Sequence, residues 1–363
     1  MLLWYQHPVA EDRILAHFRE QSGFCAGYGS PFTAELIARM GDDLAAGGPV
    51  ADLVGSWPTN PRKDALSLRV AGALHHATLV GADPALAATY PAARADWRME
   101  EVWPRARALL ARERAAVAEF IRSAPQTNET RRGVALLAGF LVFAHEHPGP
   151  IETLEIGASA GLNLHWDRFA YRTPGWSWGG DSPVVVDAEW KGAPPPLAAK
   201  IDVRRRAASD LSPLDIADPA ERLRLRSYVW ADQFDRLARF DGAVSLALAA
   251  GVRVERADAA EWLAEKLPQR ARDAATVVYH SIFLQYPPRE TRDAITAAIE
   301  SEGARATQAA PLARLRLEPE TVLGGPLDST RMLLDLTIWP GGERRVLAAT
   351  DGHVRSVEML STA

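Results

Sequence analysis

Ile151-Glu-Thr-Leu-Glu-Ile-Gly-Ala-Ser-Ala-Gly161 is the stretch that decides how this chain folds. A short apolar run, Ile151 to Ile156, ends in a turn of small residues, and Ala158 to Phe169 can follow as a helix. Small residues in such a turn let the backbone bend sharply and let a ligand approach the main chain. Upstream, no strong strand is expected. Phe32–Met40, Ala65–Leu79, Glu100–Ile121 and Thr130–Phe143 carry apolar residues at helical spacing, punctuated by Pro and Gly.

Downstream the pattern alternates. A Trp-, Gly- and Pro-dense excursion covers about 171–196, with Val184-Val-Val186 inside it. Strands are expected at Lys200–Ala208, Val252–Glu255, Thr276–Tyr279 and Leu312–Leu317. Helices are expected from about Pro219 to Ala249 and from about Arg289 to Ser301. Met332–Trp339 and Arg345–Ala349, joined through Pro340-Gly-Gly-Glu343, read as a terminal β-hairpin. The fold class expected is therefore α/β: a Rossmann-like, mostly parallel sheet with an antiparallel C-terminal hairpin, preceded by an all-helical N-terminal region. The division expected is a helical cap region over 1–147 and an α/β domain over 148–363.

Three chemistries use a glycine turn of this kind. Dinucleotide sites want G-x-G-x-x-G, with the pyrophosphate at the helix N-terminus. Gly157-Ala-Ser159-Ala-Gly161 has the spacing G-x-S-x-G instead, and Glu155 would face that anion. The same G-x-S-x-G matches a nucleophile elbow, which would make the chain a serine hydrolase using Ser159, with Asp351-Gly-His353 available downstream. Against it, no earlier strands and no His-Gly-Gly segment precede the turn, and the entering strand carries Glu155. The third chemistry is S-adenosylmethionine binding. An acid ending the first strand suits the ligand's cationic part, one ending the second suits the ribose hydroxyls, and a polar residue after the third meets the adenine amino group. Glu155, Asp210 and Asp258 fill those places in order, and this ordered set favours the third reading.

The stretch from 151 onward resembles the class I S-adenosylmethionine-dependent methyltransferase fold. Most of the chain resembles a bacterial family known mainly as a domain of unknown function. The residues that carry this are Gln126-Thr-Asn-Glu129, Glu155-x-Gly157-Ala-Ser-Ala-Gly161-Leu-Asn163, Asp210-Leu-Ser-Pro-Leu-Asp215 and Trp230-x-Asp232-Gln233-x-x-Arg236. The resemblance implies S-adenosylmethionine as cofactor, held by Glu155, Gly157, Ser159, Gly161, Asn163, Asp210, Asp258 and Ala259. Two departures stand out. Ser159 replaces the middle glycine, and Glu155 and Asp210 lie 55 positions apart where a compact unit needs about 20. The excursion at 171–196 would account for the excess.

Methyl transfer asks the protein to align nucleophile and sulfonium and to take a proton from a neutral acceptor. His280, ending the fourth expected strand, reads equally as a base or substrate contact and as a structural histidine at a strand end, and Tyr286 equally as a wall of the acceptor pocket and as a residue packed on the next helix. Gln126, Asn128, Glu129, Arg132 and Ser281 are the candidate substrate contacts. Thr127 or Asn128 alternatively serves as a helix N-cap. His145-Glu-His147 has ligand residue types but no third partner, so no metal is expected. His75-His76 and the tryptophans Trp166, Trp176, Trp178 and Trp190 read as packing residues.

Forty-one basic against 46 acidic residues leave a net charge of −5, so no nucleic-acid partner is expected. One cysteine, Cys25, excludes a disulfide framework and suits a reducing compartment. The opening Met1-Leu-Leu-Trp-Tyr-Gln-His has neither basic head nor long apolar run. A cytoplasmic protein with no membrane partner, methylating a small molecule, is the expectation. The alternative is a non-catalytic module that binds S-adenosylmethionine or another nucleotide.

Overall fold

The computed structural model describes residues 10–126, 128–251 and 253–361; the opening heptapeptide, Thr127 and Val252 lie outside them. The chain forms two compact units. The first holds the chain up to Thr127 together with Asp218–Leu237. The second holds Asn128–Ala217 and the chain from Ala238 onward.

In the first unit the described elements are helices: α1 (Ala10–Gly27), α2 (Pro31–Ala45), α3 (Pro49–Val54), α4 (Leu66–Leu79), α5 (Pro84–Ala87), α6 (Met99–Arg112) and α7 (Arg114–Arg122). On α2, Phe32, Leu36, Ile37, Met40 and Leu44 recur at three- and four-residue steps and are buried. With Phe18, Val70, Leu74 and Val102 they build one apolar core. The helix expected over 100–121 is two, because Glu113 leaves helical geometry at φ −103° and ψ 26°.

After α8 (Gly133–Glu146), the chain reaches α9 (Pro219–Ser227) and α10 (Phe234–Ala250). A single helix was expected there; the structure breaks it over Tyr228–Gln233. The break supplies a cap elsewhere in the unit. Ser30 makes no capping bond of its own at α2. Asp232 instead accepts the Phe32 N–H at 2.9 Å and the Ser30 hydroxyl, and Gln233 donates to the Tyr28 carbonyl at 3.1 Å. Orphan N–H groups at the start of α2 thus set where the later helix must open.

The second unit is built on a nine-stranded sheet. Its strands are β1 (Pro150–Ile156), β5 (Glu189–Lys191), β6 (Asp202–Asp210), β7 (Glu255–Arg256), β8 (Ala275–Ser281), β9 (Leu312–Pro319), β10 (Met332–Trp339), β11 (Glu343–Thr350) and β12 (Ser356–Met359). Their order is β5-β12-β11-β10-β9-β8-β1-β6-β7. From β9 to β7 every neighbour is parallel. In chain order this half is 3-2-1-4-5, the order of doubly wound nucleotide-binding sheets. Where a sixth parallel strand would continue, β10 and β11 fold back as the expected antiparallel hairpin. β5 and β12, three and four residues long, are too short to show an alternation in sequence.

The excursion at 171–196 does not part β1 from β6. β2 (Ala170–Thr173), β3 (Trp176–Trp178) and β4 (Val185–Asp187) form a separate three-stranded sheet. β1 and β6 pair directly, Glu155 opposite Ala208 and Ile156 opposite Ser209. Asp210 therefore stands level with the glycine turn.

Central β1 and β8 are buried nearly throughout, as strands covered on both faces must be. On one face Leu154, Ile156, Val278 and Leu312 pack with α11 (Ala259–Lys266) and α12 (Arg289–Gly303). The other face carries α8, apolar all round and buried from Gly133 to Ala144. Gly139 lets α8 approach β9: a Cβ there would lie 2.3 Å from Leu315 Cδ1. No helix among the described residues is long and apolar enough to cross a membrane.

Candidate functional site

The glycine turn leaves the carboxyl end of β1, beside the point between β1 and β8 where the strand order reverses, the position at which doubly wound sheets take their ligands. Gly157, Ser159 and Gly161 all take left-handed backbone, at φ +66°, +55° and +73°. Two side chains hold the turn from outside it. Asp210, ending β6, accepts the Ser159 N–H at 2.8 Å on one oxygen and the Ser212 N–H at 2.8 Å on the other. Asn128 spans the turn, its Nδ2 donating to the Ala158 carbonyl at 3.1 Å and its Oδ1 accepting the Leu162 N–H at 2.8 Å. The helical cap falls to Glu129, which accepts the Arg131 N–H at 3.0 Å; the cap was expected at Thr127, outside the described residues, or at Asn128.

Glu155 lies 2 % exposed on the α8 face of the sheet. Tyr279 of β8 donates to its Oε2 at 3.1 Å. Loss of solvation pushes its carboxyl from 4.5 up to about 8, against the pull of the Tyr279 hydroxyl and the Arg132 charge and with the repulsion of Asp210. Asn163, next to it through the same tyrosine, gives its Nδ2 to the Glu129 carbonyl at 3.3 Å. Its Oδ1 is buried with no donor among the described residues.

Neighbours along a strand face opposite ways. His280, following Tyr279, therefore points to the α11 and α12 face. It is 1 % exposed, and its Nδ1 lies 2.6 Å from Glu318 Oε1. Glu318, fully buried at the end of β9, also accepts the Phe283 N–H at 2.9 Å and the Leu284 N–H at 3.2 Å. Arg132 donates to the Ser281 carbonyl at 2.9 Å. The next residue, Ile282, is held at φ +52°, a region costly to a β-branched side chain. Phe283 then lays its ring on the glycine turn, 2.2 Å from where a Cβ on Gly157 would stand.

The structure thus gathers Glu155, Gly157, Ser159, Gly161, Asn163, Asp210, Asn128, Glu129, Arg132 and Ser281 around the ends of β1, β6 and β8. Asp258 and Ala259 stand at the start of α11, where Asp258 caps the Ala260 and Glu261 amides at 2.8 and 3.3 Å. His280 is packed away from Glu155, and Tyr286 is 73 % exposed. Gln126 belongs to the first unit. Asp351 folds the β11–β12 turn by accepting the His353 and Arg355 amides. That turn is four strands from β1, a lateral span of roughly 19 Å that no triad with Ser159 bridges. His147 stacks on Phe143, and no group of three or more His, Cys, Asp or Glu among the described residues is arranged to hold a metal. Sequence reasoning missed Tyr279, Phe283 and Glu318. Glu318 bears the signal that singled out Glu155, an acid closing an apolar strand.

No curated protein and no solved structure matches this chain. One family model does, over residues 16–359, and the chain belongs to that family, described as an uncharacterized protein conserved in bacteria (DUF2332).

Proposed function

We propose that the second unit binds S-adenosylmethionine and that the protein is a methyltransferase acting on a small molecule. One observation carries the reading. Glu155 and Asp210 stand at the ends of β1 and β6, and Asp258 just after β7, on three successive strands of a 3-2-1-4-5 sheet, so their side-by-side order in space repeats their order in sequence. The residues suit the ligand. Glu155 and the Asn163 Oδ1, which has no donor among the described residues, are acceptors for an ammonium. Asp210 keeps lone pairs for ribose hydroxyls beyond the two amides it holds. Asp258 and Ala259, at the start of α11 after β7, are the residues this reading assigns to the adenine. The cofactor supplies a methyl group on a sulfonium, and the chain's part is to bind, orient and exclude water.

Calorimetric titration with S-adenosylmethionine and S-adenosylhomocysteine tests this directly. Binding to the wild type, and its loss in Asp210→Ala, are expected. No heat from either ligand at millimolar concentration overturns the reading.

A second reading, ligand binding without transfer, is favoured by the burial of His280 against Glu318, which takes the candidate base out of reach. Turnover with a panel of small acceptors separates the two: transfer to any acceptor removes the second, and binding without transfer removes the first.

A further inference from the structure

The glycine turn is already in close contact with a side chain of the protein itself. Gly157 has no room for a Cβ because the Phe283 ring lies there. This ring stands on the turn whose small residues would admit a ligand to the backbone. Phe283 is half-buried, lies edge-on to the His280 ring at 5.7 Å, and flanks the α11 and α12 core.

Its position is imposed from the backbone. Ile282 turns the chain through a left-handed conformation immediately before it. That conformation costs free energy and persists only where the surroundings enforce it. The enforcing group is Glu318, which takes the Phe283 and Leu284 amides and the His280 ring together. The Ile282 amide adds a bond to the Leu317 carbonyl at 2.7 Å, and Arg132 fixes Ser281 from the other face. Leu317 and Arg132 hold the start of this strained segment, and Glu318 alone takes the amides of Phe283 and Leu284 beyond it; a second state is within reach: give up those two amide bonds, relax Ile282, and the ring leaves Gly157.

We propose that Phe283 is a gate on the glycine turn, held shut by Glu318 as its positioning residue, and that a nucleoside-type ligand enters when the ring swings off Gly157. The inference rests on the ligand reading above for the nature of the occupant, but not for the latch itself. Glu318 acts only through the loop; it touches no ligand.

Two measurements test it together on the full chain: backbone amide exchange, and calorimetric titration with S-adenosylhomocysteine. In Glu318→Gln, exchange over 281–286 and over 157–161 should rise together by about tenfold while the β10–β11 hairpin stays protected. In Phe283→Ala, S-adenosylhomocysteine should bind about tenfold more tightly, because opening no longer opposes binding. A merely structural role predicts the reverse sign, weaker binding in both variants. Unchanged exchange in Glu318→Gln overturns the latch, and unchanged or weaker binding in Phe283→Ala overturns the gate. If no form of the protein binds S-adenosylhomocysteine while exchange rises as expected, the latch stands and the ligand reading falls. Should Glu318→Gln fail to fold, Phe283→Ala carries the test, through tighter binding and faster exchange at 157–161 alone.

Discussion

Glu155 and Glu318 close two strands of the same sheet, with β8 between them, and both are buried, yet they live in opposite circumstances. Glu318 accepts from three donors, the His280 ring and two amides. Glu155 accepts one hydrogen bond among the described residues, from Tyr279. β8 sends Tyr279 to one face and His280 to the other, so a single strand serves both carboxyls. The difference teaches that burial alone does not assign a carboxyl its role. The supply of donors does: a saturated carboxylate ties structure together, whereas an under-supplied one is driven towards its neutral form and left with capacity for a cationic partner.

The comparison breaks most readily at Glu318. Replacing it with alanine leaves His280 and two amides unpaired in the interior, and a loss of about 3–5 kcal/mol is expected in chemical denaturation. A loss below about 1 kcal/mol would mean that the three bonds are not what fixes the loop.

Glu155→Gln should act in the other direction. The folded carboxyl titrates near 8 and the unfolded one near 4.5. Between those values the unfolded chain has shed a proton that the folded one keeps, so wild-type stability falls as pH rises through this window and levels off above it. Glutamine has no such proton. The variant should gain on the wild type with rising pH, reaching about 3 kcal/mol by pH 7 relative to pH 4. Paired denaturation curves across that range check it; parallel curves would put Glu155 in contact with more donors than Tyr279.

How much of this was legible beforehand follows from the physics of each element. The strand, the turn and the α8 helix announce themselves through local pattern, as does the succession of Glu155, Asp210 and Asp258 along the chain; that β1, β6 and β7 lie side by side in the same order is a matter of topology, since parallel sheets take more than one order. The break at Tyr228–Gln233 does not show, because its cause is the unsatisfied N-terminus of α2, some two hundred positions away in sequence. Asn128 and Asp210 stand out as candidate ligand contacts but not as clamps on the turn, since their bonds to it depend on the tertiary fold. His280, ending a strand, reads equally as a base and as a structural histidine, and local pattern cannot choose; the pairing of β8 with β9 is what sets its ring against Glu318.

The clamp makes the next test. Asn128 sits at φ +34°, where asparagine is tolerated better than alanine. Asn128→Ala forfeits both bonds across the turn, and a cost of about 2 kcal/mol is expected by denaturation. Amide exchange should rise at Leu162, whose N–H loses its acceptor. A variant of wild-type stability would show that Asp210 holds the turn unaided.

The smallest effect sharpens the comparison furthest. Tyr279→Phe keeps the ring edge-on to Phe140 and removes only the hydroxyl that serves Glu155. That hydroxyl favours the ionised carboxylate, so its loss should raise the carboxyl's titration further above 8. The consequence for stability depends on pH. Where Glu155 is protonated, the variant loses only an ordinary neutral hydrogen bond. As pH rises through 8 the wild-type carboxylate gains a charge-assisted bond that the variant lacks, and the gap should widen to about 1.5 kcal/mol. A gap that is constant with pH would place the ionised form of Glu155 in contact with another donor, and Arg132, whose charge already acts on it, is the group to examine next. A gap that widens as expected leaves Tyr279 as the donor that sets this acid apart from Glu318.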